Sequence, residues 1–148
     1  EEITGFMGIP FGTSRTQLVD QLKKQGFDVY DDYPESWCDC EKFNFNFLDI
    51  KCWHFVAHFE NEYFTNFYIE SDKNENGEKY DFDEMRKIVE KISNKYSISF
   101  KEFSKKSNLS DGDIKSYLAT DENGNYIEIT KQTSNSNIFI YGGLEKKI

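Results

Sequence analysis

Residues 43–70, FNFNFLDIKCWHFVAHFENEYFTNFYIE, decide the fold class. Phe43, Phe45 and Phe47 alternate with Asn44 and Asn46. Trp53, Phe55, Ala57 and Phe59 alternate with Cys52, His54, Val56 and His58. Tyr63, Thr65, Phe67 and Ile69 alternate with Phe64, Asn66, Tyr68 and Glu70. Side chains in a strand point to opposite faces in turn, so a period of two predicts three strands, each with one buried face.

The neighbouring segments extend this pattern. A short run, FDVY at residues 27–30, predicts a further strand. Before it, Ser14 precedes Gln17 by three residues, the spacing of a capping box. Leu18, Val19 and Leu22 then form an apolar stripe, and Gly26 is placed to end a helix over about residues 14–25. After the strands comes a polar break, SDKNENGEKYD (71–81). Asp81 and Glu84 repeat the capping spacing, and Met85, Ile88, Val89 and Ile92 predict a second helix to about Tyr96. SISFKEF (97–103), IKSYLAT (114–120), YIEITKQ (126–132) and NIFIYGG (137–143) then read as strands, with Asn123-Gly124 marking a tight hairpin.

The expected architecture is therefore α+β. One domain, residues 1–148, is built from two helix-plus-four-strand units, 1–76 and 77–148. They share an antiparallel sheet with both helices on one face.

Residues 9–22, IPFGTSRTQLVDQL, resemble the helix start of beta-lactamase inhibitor protein-like domains. The longer stretch 6–27 is similar to a set of small exported bacterial proteins of unknown function. The resemblance implies tandem helix-plus-four-strand units, a concave antiparallel sheet and an extracytoplasmic setting (periplasmic, surface-anchored or secreted). It covers residues 6–27 alone, with no second copy because residues 78–92 lack the Phe-Gly start, and it transfers no active site.

Composition narrows the function classes. Aromatic residues make up 17% of the 148, with 14 Phe and 9 Tyr, so the core is aromatic-rich and some rings reach the surface. The net charge of −9 disfavours nucleic acid and anionic membrane surfaces, which need clustered Lys and Arg. No apolar run approaches the ~20 residues of a membrane span. The chain starts Glu1-Glu2-Ile3 instead of Met, as a processed or truncated product would.

Few motifs carry chemistry. Gly8 and Gly12 suggest a phosphate loop, but the spacing is one residue short of the Walker pattern, the lysine is missing and Pro10 removes an amide. They read as the approach to the helix. Cys38, Cys40 and Cys52 leave three readings open. These are a Cys40–Cys52 disulfide with Cys38 free, three free thiols, or a zinc site formed with His54. Residues 72–83 match a twelve-residue calcium loop in part, supplying Asp72, Asn74, Asn76 and Asp83, with Gly77 at its sixth position. The plainer reading is a polar turn. A nucleophile site would need His54 or His58 beside a Ser or one of Cys38, Cys40 and Cys52. Cys52 and His54 share a strand face and offer such a pair, for a hydrolase or redox protein, but without an obvious oxyanion hole.

The sheet remains. If Trp53, Phe55, Phe59, Phe67, Ile69, Ile127, Ile129, Ile138 and Ile140 face the helices, the opposite face carries the alternate residues. Those are His54, Val56, His58, Phe64, Asn66, Tyr68, Tyr117, Tyr126, Phe139 and Tyr141. Such a face suits a protein or peptide ligand. The sequence thus predicts an exported, non-enzymatic binding module. A calcium- or zinc-stabilised envelope protein is the second reading, and a Cys/His hydrolase or redox protein the third.

Overall fold

The computed structural model describes residues 3–31, 36–106, 113–133 and 135–144. The chain opens on a two-stranded hairpin, β1 (Gly5–Phe6) and β2 (Ile9–Pro10), turned by Met7 and Gly8, both at positive φ. Helix α1 (Arg15–Lys24) follows, then β3 (Asp28–Tyr30), β4 (Trp37–Phe47), β5 (Ile50–Glu60) and β6 (Tyr63–Ser71). Helix α2 (Phe82–Tyr96) leads to β7 (Lys101–Lys106), β8 (Asp113–Thr120), β9 (Tyr126–Lys131) and β10 (Ile138–Gly143).

The strands after the hairpin form one antiparallel sheet in the order β3-β4-β5-β6-β10-β9-β8-β7. The last strand, β10, returns beside β6 and joins the two meanders.

This architecture corrects the α+β expectation of two helix-plus-four-strand units. Among the described residues the protein is mostly β, with an eight-stranded sheet, a separate two-stranded sheet and two short helices of 10 and 15 residues. The physical reason lies in what fills the core. The glycine-flanked start makes a hairpin instead of a loop, and its Phe6 stacks on Phe55 at 3.9 Å between ring centroids. Phe27, Phe45, Phe47 and Phe67 surround the same ring. Complete burial of such a side chain stabilises by about 2–3 kcal/mol. From α1 come Leu18 and Leu22, and from α2 Met85, Val89 and Ile92. Buried side chains from both halves of the chain form a single cluster.

Local chemistry explains the helix ends. Ser14 Oγ accepts the Gln17 amide, and α1 closes in a Schellman arrangement. There the Phe27 amide donates to Leu22 O and the Gly26 amide to Lys23 O, with Gly26 at φ +91°. Asp81 and Glu84 form a complete capping box on α2.

Two hairpins turn through pairs of residues at positive φ, Leu48-Asp49 and Asn61-Glu62. Such pairs match strand twist. The expected tight Asn123-Gly124 hairpin is instead a five-residue loop, 121–125. Asp121 Oδ1 accepts the amides of Asn123 and Asn125. The strand expected at 97–103 begins only at Lys101.

Register irregularities decide which residues face the helices. Pairing of β4 with β5 shifts between Glu41 and Phe45, and pairing of β5 with β6 shifts between Cys52 and His54. Each extra residue reverses the alternation beyond it. Phe43, expected beside Phe45, is therefore 82% exposed. Trp53, expected in the core, stands half-exposed beside His54, while Cys52 and Phe55 are both buried. A third shift, between His58 and Phe59, turns Phe64 into the core.

Candidate functional site

The face of the sheet away from the helices is ordered into rows by strand register. Its central row runs Tyr30, Asp39, Val56, Tyr68, Tyr141, Glu128, Leu118 and Lys101, one residue from each strand. The row on one side holds Glu41, His54, Glu70, Phe139 and Thr130. The row on the other holds Trp37, His58, Asn66, Gly143 and Tyr126. Among the described residues, both helices and the β1–β2 hairpin lie on the opposite face.

The structure brings His54, His58, Tyr68, Tyr126, Phe139 and Tyr141 together on this open face. Tyr68 and Tyr141 are 6.0 Å apart between centroids, and Phe139 and Tyr141 are 6.5 Å apart with their rings nearly parallel. Gly142 and Gly143 end β10 because bulk would not fit. A Cβ on Gly142 would meet the Phe67 ring at 2.5 Å, and one on Gly143 would meet Asn66 Cβ at 2.6 Å. The Tyr126 ring lies close beside that bare backbone.

Two expected members of the face are elsewhere. Phe64 is fully buried among Phe11, Phe55 and Phe59. Tyr117 lies opposite Ile129 and faces α2, lining a groove with Arg86, Val89, Glu90 and Glu102. The alternation in 114–120 does not distinguish its two faces, since Ile114 and Leu118 lie on one and Tyr117 and Ala119 on the other. Pairing with β9 decides it.

Sequence reasoning passed over Trp37, Asp39, Glu70 and Glu128, and placed Trp53 in the core. Glu128 was legible, because it alternates with Ile127 and Ile129 between Tyr126 and Thr130. Trp53 was not, because the bulge that turns it outward comes from pairing with neighbouring strands.

His54 joins polar and aromatic contacts on the face. Its Nε2 lies 3.0 Å from Asp39 Oδ1, its ring stacks on Trp53 at 4.9 Å, and Tyr68 approaches edge-on at 6.1 Å. Burial raises the hydroxyl pKa of Tyr68, Tyr126 and Tyr141 above the usual tyrosine value, and raises the Glu128 carboxyl likewise. These groups sit in a partly dehydrated surface. Asp39 is paired with His54, and Glu70 accepts a hydrogen bond from Asn137 at 2.7 Å. No hydrogen bond or ion pair holds Glu128 among the described residues.

The cysteines resolve differently from the expected disulfide. Cys38, Cys40 and Cys52 are free and buried. Cys40 pairs across to Phe55, three residues from Cys52, a separation of ~10 Å along the strand and beyond disulfide reach. Cys38 and Cys40 lie with their sulfurs 4.0 Å apart. Burial pushes the Cys52 thiol up to about 12. The Cys40 thiol is raised chiefly by its hydrogen bond with Cys38 and further by burial. The bulge at Trp53 also puts Cys52 in the core and His54 on the open face. Neither a shared zinc ion nor a Cys–His nucleophile pair is assembled from them.

Residues 72–83 form a self-satisfied turn. Asn74 Oδ1 accepts the amides of Asn76 and Glu78, and Asn74 Nδ2 donates to Glu84. Asp72 accepts the Lys73 amide, while Asp83 faces Arg86 and Lys87, which hold its carboxyl below the usual range. The side-chain oxygens of Asp72, Asn74 and Asp83, expected to converge on calcium, are thus directed to different donors.

The stretch beyond the hairpin acts as a latch. The Gly12 and Arg15 amides donate to Phe64 O and Glu62 O, and the Phe64 amide donates to Thr13 O. Arg15, with an 11% exposed side chain, bridges Asp31 at 2.6 Å and Trp37 O at 3.0 Å and covers the Phe59 ring.

Compared with known families, with curated proteins and with solved structures, the chain finds no match. The open face must therefore be read from its own chemistry. Among the described residues no helix is long and apolar enough to cross a membrane.

Proposed function

We propose that this protein is a binding module that recognises a protein or peptide through the open sheet face. The observation that carries this reading is the contiguous patch of Tyr68, Tyr126, Phe139 and Tyr141 beside His54 and Trp53, on a rigid sheet that no described element covers. Tyrosines present large contact area at low entropic cost, and their hydroxyls tolerate the wet rim of an interface. An eight-stranded sheet holds them in place before binding, which reduces the ordering cost that otherwise erodes affinity. An extracytoplasmic location belongs to the same proposal and rests on the resemblance of residues 9–22.

The test compares immobilised wild type with the Tyr68→Ala/Tyr141→Ala variant, after matched circular dichroism shows that both are folded. The variant is expected to lose the partners that wild type retains. Equal recovery by both proteins removes the sheet face as the recognition surface.

A further inference from the structure

Among the described residues, the sheet around Glu128 gives its charge no partner. Its cross-strand neighbours are Tyr141 on β10 and Leu118 on β8, and Tyr126 precedes it by two on its own strand. The cation in its row, Lys101, lies two strands away beyond Leu118, at ~10 Å. Asp39 and Glu70 on the same face have local partners, which Glu128 lacks among the described residues. A carboxylate partly withdrawn from water among rings and an aliphatic side chain costs free energy until a cation meets it. The tyrosine faces beside it attract the same cation through their ring electrons.

We propose that Glu128, Tyr126 and Tyr141 form a subsite for a cationic side chain, arginine or lysine, presented by the protein partner. The inference rests on the recognition reading above and names the chemistry of what is recognised. Charge complementarity selects this occupant: the chain carries a net charge of −9, and Asp39, Glu41, Glu70 and Glu128 all lie on the open face. Arginine fits best, since its plane stacks on a tyrosine while its fork meets the carboxylate.

The experiment titrates the full chain with acetyl-Gly-Arg-Gly-amide and its Lys and Gln counterparts, following tyrosine ring and side-chain carboxyl NMR signals. The Arg and Lys peptides are expected to move the signals of Glu128, Tyr126 and Tyr141 and to bind about tenfold or more tightly than the Gln peptide. They should also lower the Glu128 titration midpoint towards the ordinary carboxylate value. Added salt and Glu128→Gln should each erase the preference, the variant keeping its fold because it removes a charge and little volume. Equal binding of all three peptides, no binding by any, or an unchanged preference in Glu128→Gln overturns the subsite. If Glu128→Gln retains every partner that Tyr68→Ala/Tyr141→Ala loses, the subsite falls and recognition by the face stands. If the double variant also retains them, both readings fall.

Discussion

Single residues in this protein take their roles from which face they occupy. Cys52 is the clearest case: read with His54 it suggests a ligand or nucleophile pair, yet it is fully buried and its thiol is pushed up to about 12. A thiol so protonated is a poor nucleophile. At pH 8 the native protein should therefore leave Cys52 unmodified by a disulfide-exchange reagent, with all three thiols reacting once denaturant is added. Rapid native labelling of Cys52 would contradict the buried placement. Arg15 shows the converse. Read as part of a helix start, it serves as a tie between α1, Asp31 and the Trp37 carbonyl.

Elements were legible to the extent that their signals are local. Both helix starts follow from a side chain capping an amide three residues on, and Gly26 ends α1 because positive φ is cheap for glycine. The capping box of α2 gives a direct test. Asp81→Ala removes the acceptor for the Glu84 amide and should cost about 1 kcal/mol in urea unfolding. No change in midpoint would mean that α2 is held by Met85, Val89 and Ile92 alone. Strands were less legible. The β1–β2 hairpin hid behind glycines that resemble a binding loop. The turns at Leu48-Asp49 and Asn61-Glu62 lack the Asn-Gly signal, because the paired strands impose the backbone. The bulges near Phe43 and Trp53 were invisible, since a register shift belongs to two strands at once.

At the scale of the whole molecule, the open face trades stability for a prepared surface. Folding raises the Glu128 pKa above its ordinary 4.5, so the protonated carboxyl favours the folded state. That contribution is complete below the unfolded-state value and is lost as pH rises through the folded-state value. Glu128→Gln should therefore be more stable than wild type at neutral pH, with the advantage shrinking as the pH falls through the folded-state value and gone below about 4.5. Thermal unfolding across that range checks it, and a less stable variant at neutral pH would reverse the sign. A group that weakens the fold at working pH is the kind of residue a binding surface retains.

The sequence by itself determined the two helices with their caps, the predominance of alternating segments and the acidic, aromatic character of the chain. Each of these is written in spacings of a few residues or in plain composition. Tertiary structure decided that the whole is mostly β, that Phe6 on a hairpin centres the core, and that β10 closes the sheet against β6. It also moved Phe64 and Tyr117 inward and Trp53 outward, and among the described residues it left Glu128 without a partner beside the tyrosines. Those outcomes depend on register between strands distant in the chain, and no single segment encodes the residue opposite it.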